Sequence, residues 1–298
     1  MLAIQTIVLK PYTVLDLGGR LDATEDSLAL TRLSGRTLDG KWSADLSVRH
    51  AGGDPGGAEV FRGHFDLVKF DAGKAARMRF KNPAAGVDGR LDLDVTVASQ
   101  ADDWQGLVSR ATGTFSLVGH GGRVRLALPQ EESISSALIL GGTLTFSSEL
   151  RALGRLIPRL TQMPFDRLEA TGTLASDGRL ELKQLLVEAP DLRLVAVGSI
   201  ANAKSRDLAG QPLAAQATLF ARSDLGIILA GMHLLGRAGA DGYRAMNQPF
   251  LVGGNVGQPD LHPLYDLLAK AVDGSSGSWG LLMREVRAKV AKAPSKGS

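Results

Sequence analysis

The sequence contains no cysteine. Disulfides, thiolate metal sites and cysteine nucleophiles are therefore excluded. Aromatic residues make up only 5% of 298 positions. No uninterrupted apolar run approaches the roughly 18 residues that a membrane-spanning helix requires. The most apolar stretch, Leu225 to Leu235, is broken by Gly226, Gly231 and His233. The opening Met1 to Lys10 lacks a basic leader, and Gln5 and Thr6 interrupt it, so it reads as a strand and not as a signal peptide. Neither sign of charge is in excess: 34 Lys and Arg face 31 Asp and Glu, a net of +3. That balance argues against a nucleic-acid partner.

What is abundant is glycine, at 36 positions, about 12% against an average near 7%. With 44% hydrophobic and 22% charged residues the chain is globular in composition. Its length fits one or two domains at about 150 residues each. A glycine-rich, aromatic-poor chain with many short apolar runs leans towards β architecture.

Period-2 alternation supports this. Leu91, Leu93, Val95 and Val97 alternate with Asp92, Asp94, Thr96 and Ala98. Trp42, Ala44, Leu46 and Val48 alternate with Lys41, Ser43, Asp45 and Ser47, and Leu192, Leu194 and Ala196 recur in the same way. Shorter examples are Leu180 with Leu182, Val124-Leu126-Leu128, Leu144-Phe146 and Met78-Phe80. Such strands bury one face only, which predicts antiparallel sheet. Asp39-Gly40, Asp88-Gly89 and Asp177-Gly178 each precede an alternating run and read as hairpin turns. Gly119-His120-Gly121-Gly122 reads as another turn. Ala111-Thr-Gly-Thr-Phe115 is echoed by Ala170-Thr-Gly-Thr-Leu174, which suggests repeated hairpins.

Helices are few. One is predicted over 148–161, capped by Ser148, with Arg151, Arg155 and Arg159 along one face. A second, over 223–236 with Ser223-Asp224 as its cap, is apolar nearly all round and reads as a core helix or as a cap over an apolar groove. Two more are predicted after Pro263 and around Trp279 to Val290, and a short one near Asp102 to Ser109.

Catalytic signatures are missing. Gly35 to Lys41 is the nearest phosphate-loop match, but Trp42 stands where Ser or Thr is needed, and Asp39-Gly40 reads as a hairpin. No Gly-x-Ser-x-Gly elbow occurs. The histidines, His50, His64, His120, His233 and His262, are never three or four residues apart, so a metal site would need distant residues to converge. His233 reads as a buried or helix-end residue. Asp92 and Asp94 share a strand face; paired acids can cleave glycosides, but a solvated face is the plainer reading. No cofactor, metal or catalytic residue is expected.

A run of pieces in the second half resembles the C-terminal region of AsmA-like proteins of the bacterial envelope. It comprises the helix around Trp104 to Ser109, Thr112-Gly-Thr-Phe-Ser-Leu117, Gly121-Gly122, Phe165-Asp-Arg-Leu168 and Thr171-Gly-Thr-Leu174. Asp177-Gly-Arg-Leu180, Val197-Gly-Ser-Ile200, Gln248-Pro-Phe-Leu-Val-Gly-Gly254 and Asn255-Val-Gly-Gln-Pro259 follow. The order of the pieces, over roughly residues 60–265, carries the match. The resemblance implies a non-catalytic periplasmic protein associated with the inner membrane and involved in lipid transport or outer-membrane homeostasis. Its partners would be phospholipid, a membrane surface or another envelope protein. Members are typically anchored by an N-terminal helix, and no such helix is expected within these 298 residues.

The expected architecture is a mainly β protein with a few helices, its antiparallel sheet curved into a groove, sandwich or barrel. A β-rich domain is expected over 1–262, with a candidate sub-boundary near 100–110. A helical segment over 263–292 and a disordered basic tail over 293–298 complete the chain. Leu91, Leu93, Val95, Val97, Leu180, Leu182, Leu192 and Leu194 are the lipid-contact candidates, and Arg151, Arg155 and Arg159 the head-group candidates. The same alternation serves a filled core as well as an acyl-binding trough. A structural module that binds a partner through a sheet edge is the alternative function, and an enzyme with a convergent site the third.

Overall fold

The computed structural model describes residues 2–9, 12–51, 58–79, 86–125, 151, 154, 155, 158, 159, 161–205, 207–264, 266 and 267. The first strands are β1 (Leu2–Leu9), β2 (Tyr12–Ala23), β3 (Ser27–Thr37), β4 (Gly40–Ala51) and β5 (Ala58–Asp71). Helix α1 (Ala72–Arg79) precedes β6 (Gly86–Ala101), and α2 (Trp104–Ser109) precedes β7 (Thr112–Arg125). Next come β8 (Gln162–Leu174), β9 (Leu180–Glu188), β10 (Leu192–Ile200) and β11 (Leu213–Ala221). After helix α3 (Ser223–Gly231) follow β12 (Leu235–Ala238), β13 (Arg244–Met246), β14 (Phe250–Asn255) and β15 (Gln258–Asp260).

These strands form one antiparallel sheet, unclosed and curved. From β1 to β11 spatial order equals chain order, a meander built from hairpins. Beyond β11 the pattern changes: β13 and β14 both pair with β11 at different points along it, β12 pairs with β13, and β15 with β14.

The curvature has a local cause. In β3, Thr31 and Arg32 stand opposite the single residue Asp45, and in β5, Val68 and Lys69 stand opposite Asp92. Asp16 in β2 and Gly121 in β7 mark similar irregularities. Each of these bulges contains a residue in the left-handed region: Asp16 (φ 53°), Arg32 (φ 54°), Lys69 (φ 55°) and Gly121 (φ 73°). Bulges bend the strand and increase its twist. Two of them share a further device. The freed amide of Arg32 donates to Asp45 Oδ1 at 2.8 Å, and that of Lys69 donates to Asp92 Oδ1 at 2.6 Å. The opposing aspartate supplies the acceptor that the ladder no longer provides. Asp92→Ala is therefore expected to cost about 1 kcal/mol in urea unfolding. Lys69→Gly should raise stability by up to about 1 kcal/mol, because glycine escapes the left-handed penalty.

Several expectations are corrected by this geometry. Asp88-Gly89 is not a hairpin turn; both residues lie inside β6, where Gly89 (φ 146°) faces the β7 irregularity. His120 and Gly121-Gly122 likewise lie within β7, in a bulge and not a turn. Met78 belongs to α1, not to a strand. The Asp39-Gly40 hairpin exists, but Leu38 and Asp39 take the positive φ values (50° and 61°). Gly40 is needed for space: a Cβ there would lie 2.8 Å from the Phe70 Cα.

Helix α3 stops at Gly231, well short of residue 236, and Leu235 begins a strand. His233 (φ 58°) is the exposed residue just past the helix end. Its amide reaches the Ala230 carbonyl, and that of Leu234 reaches the Leu229 carbonyl, which closes the end as a Schellman motif. Ser223 does not cap the helix. Arg222 holds that position and makes no side-chain capping bond. Nor is α3 buried all round: Leu225 and Leu229 are buried, whereas Ile227 is 63% exposed.

Of the helix predicted over 148–161, the described residues Arg151, Gly154, Arg155, Pro158, Arg159 and Thr161 are helical, and Ser148 lies outside the described set. Helical residues also follow Leu261, with Leu264 buried. Residues 268–298, with the last predicted helix and the basic tail, lie outside the described residues, as do Leu126, Leu128 and Leu144 to Phe146.

Candidate functional site

Cross-strand register turns the period-2 pattern into rows. One row runs Leu33, Ala44, Phe65, Val95, Phe115, Gly172, Leu182, Gly198, Ala215, Val252, each residue directly opposite the next. A second, nearer one rim, runs Leu21, Leu30, Leu46, Gly63, Val97, Gly113, Leu174, Leu180, Ile200, Leu213. Towards the other rim lie Trp42, Leu67, Leu93, Leu117, Ala170, Leu185, Ala196, Ala217, Phe250 and then Phe70, Leu91, Gly119, Leu168, Val187, Leu194, Leu219. Every member of the four rows is apolar or glycine. At about 4.8 Å between strands, a row across ten strands is roughly 43 Å long.

Burial is graded across this face. In the Phe70 to Leu219 row, Leu91, Leu168 and Leu219 are buried in a cluster with Leu225 and Leu229 of α3 and with Leu261 and Leu264. Here the face is a filled core. In the row starting at Leu21, Val97, Leu174, Leu180 and Ile200 are only half-buried, and Leu21 is 53% exposed. The face is thus filled at one rim and partly accessible at the other.

All eight lipid-contact candidates lie on this apolar face. They are not equivalent. Leu91 (3% exposed) and Leu192 (1% exposed) belong to the filled core, and Leu93 and Leu194 pack against it. Val95, Val97, Leu180 and Leu182 are half-buried members of the more accessible rows. The head-group candidates Arg151, Arg155 and Arg159 are exposed, but Arg159 is ion-paired to Asp191.

Two features were not found from the sequence. The first is a cleft of about 380 Å³ at the rim of β2–β5, lined by Asp16, Arg36, Lys41 and Trp42 among others. Arg36 Nε donates to Asp16 Oδ2 at 2.8 Å. The indole Nε1 of Trp42 is buried there without a hydrogen-bond partner among the described residues, an unmet donor on an otherwise apolar face. The second is on the polar face, where His64, Asp66 and Asp94 converge. Asp92 and Asp94, paired in the sequence, have separate roles: Asp92 caps the β5 bulge, and Asp94 faces His64.

Near α3, Tyr243 is buried between two guanidinium groups. Arg193 lies 4.0 Å and Arg222 4.6 Å from the ring centre, and the hydroxyl donates to the Ala189 carbonyl at 3.0 Å. Burial pushes the phenol pKa up. Arg193 also pairs with Glu188 and Asp241, holding the Asp241 carboxyl below its usual range. This cluster ties the β12–β13 hairpin to β10 and is structural.

No family model matches the chain, and no curated protein or solved structure matches it. Among the described residues, no helix is long and apolar enough to cross a membrane.

Proposed function

We propose that the chain is a non-catalytic, AsmA-like protein of the cell envelope that shields acyl chains on the apolar face of its sheet, in lipid transport or outer-membrane homeostasis. The observation that carries this reading is the set of uninterrupted apolar rows, half-buried along the rim that contains Val97 and Leu180. Each methylene taken from water onto such a surface gains about 0.8 kcal/mol. A handful of methylenes therefore offsets the cost of ordering one chain. Arg151, Arg155 and Arg159, all exposed, supply positive charge for phospholipid head groups.

Mass spectrometry of lipids extracted from the purified protein tests this, with an unrelated β protein as control. Near-stoichiometric phospholipid is expected. Val97→Glu and Leu180→Glu should lower that yield several-fold while the circular dichroism stays unchanged. A well-folded protein with no enrichment over the control would overturn the proposal.

The alternative is a module that binds a partner protein through a sheet edge. It is favoured by β1, the terminal strand of the unclosed sheet, which pairs with β2 alone among the described residues. Edge strands template pairing with another chain. A lipid-free preparation that captures a partner, and loses it when proline replaces a residue of β1, would favour this reading.

A further inference from the structure

We propose that His64, Asp66 and Asp94 form a binding site for a divalent cation of the zinc type, on the sheet face opposite the apolar rows. The three ligand atoms come from two paired strands, and all lie within 4.8 Å of one another. His64 Nε2 is 3.1 Å from Asp66 Oδ2 and 3.4 Å from Asp94 Oδ2. Zinc bonds to nitrogen and oxygen are about 2.0–2.2 Å. A tetrahedron with bonds of about 2.05 Å has ligand-to-ligand edges of roughly 3.3 Å. These two separations bracket that edge.

Register sets two carboxylates side by side at this point. Asp66 and Asp94 stand directly opposite each other on β5 and β6. Like charges in that position repel. One imidazole N–H can point along only one of the two directions, whereas a metal on Nε2 serves both carboxylates. The surroundings suit this tautomer. His64 Nδ1 is 3.4 Å from Thr96 Oγ1, and Ser43 Oγ donates to Asp66 Oδ2 at 3.4 Å. Such outer contacts fix ring and carboxylate orientation in metal sites. The neighbouring Asp45 adds negative charge from β4, opposite His64.

The side chains of His64, Asp66 and Asp94 are 45%, 38% and 48% exposed, so solvent can reach an ion there and complete its coordination. One nitrogen and two carboxylates favour zinc over magnesium or calcium, which take oxygen ligands. An ion at this point would pin β5 to β6 at the centre of the sheet. Because the site lies on the other face, its occupancy is separable from acyl binding.

Isothermal titration of the full chain with zinc, and separately with magnesium and calcium, tests the proposal after treatment with a chelator. Zinc is expected to bind with micromolar affinity and to raise the melting temperature. His64→Ala and Asp94→Asn should each weaken that binding at least about tenfold and abolish the thermal shift. Glu181→Gln, at an exposed carboxylate of β9 on the same face but away from the site, checks that the mere loss of a charge does not reproduce the loss. Zinc affinity unchanged in His64→Ala, or calcium bound as tightly as zinc, would overturn the assignment.

Discussion

Phe165→Ala is expected to destabilise the protein by about 3–5 kcal/mol, the usual cost of removing a buried aromatic. Phe165 is 2% exposed and sits on β8 opposite Gly122. Its ring lies over a slot floored by glycines of β6 and β7. A Cβ on Gly122 would come within 2.5 Å of the ring, one on Gly119 within 3.3 Å, and one on Gly89 within 3.6 Å. The glycines that floor the slot carry no side chains to fill it, so the cavity left by alanine should persist. Urea unfolding followed by circular dichroism measures the loss. Gly122→Ala should be nearly as damaging, since its Cβ would also lie 2.4 Å from the Asp88 carbonyl oxygen. A Cβ on Gly119 would also lie 2.3 Å from Leu91 Cδ2, so combining Gly119→Ala with Leu91→Ala is expected to cost less than the sum of the two, because the smaller side chain vacates the space that the new methyl enters.

The second large effect is expected at Gly172. This glycine belongs to the echoed Thr-Gly-Thr motif, and the pairing of β7 with β8 explains the echo. The two copies run antiparallel and face each other, so Phe115 stands opposite Gly172, and Gly113 opposite Leu174. Gly172 makes room for the Phe115 ring, whereas Gly113 makes room for the Thr96 carbonyl of β6, 2.3 Å from where its Cβ would be. A Cβ on Gly172 would lie 2.3 Å from the Glu181 carbonyl oxygen and 2.5 Å from the Phe115 ring. Gly172→Val is expected to cost about 3 kcal/mol or more, at the upper end for overpacking. Phe115→Ala should not rescue it, because the carbonyl of β9 remains in the way. Full rescue would mean that the ring, and not the backbone, sets the limit.

Much of the strand layout was legible from residue patterns alone. Alternation in Leu91 to Val97 and in Trp42 to Val48 placed two strands and their inward faces correctly, because side-chain direction in a strand depends only on the period of two. Turns were less legible. Asp-Gly marks any place where the chain accepts positive φ, and at Asp88-Gly89 that place is a bulge partner inside a strand. The bulges at Arg32 and Lys69 left no trace, since long basic side chains give no hint of a left-handed backbone. What stabilises them is an aspartate on the next strand, 13 residues away for Arg32 and 23 for Lys69. The end of α3 was missed for a related reason: His233 occupies the position where glycine usually announces the stop.

The His64, Asp66 and Asp94 cluster was illegible in the same way. His64 and Asp66 are two residues apart, but Asp94 joins them only through the β5–β6 register. A search for ligands at helical spacing passes over such a set.

The sequence by itself determined that this chain builds antiparallel sheet with one apolar face and one polar face. Alternation and turn chemistry act locally, within a few residues, and need no distant partner. Only the tertiary structure decided that these strands join in a single unclosed meander, that the apolar residues align into rows across it, and that the Leu91 side is filled while the Val97 side stays half-exposed. The burial of a sheet face depends on what packs against it. Here α3 and the residues around Leu261 reach only one rim, and no local pattern of the strands encodes where they land.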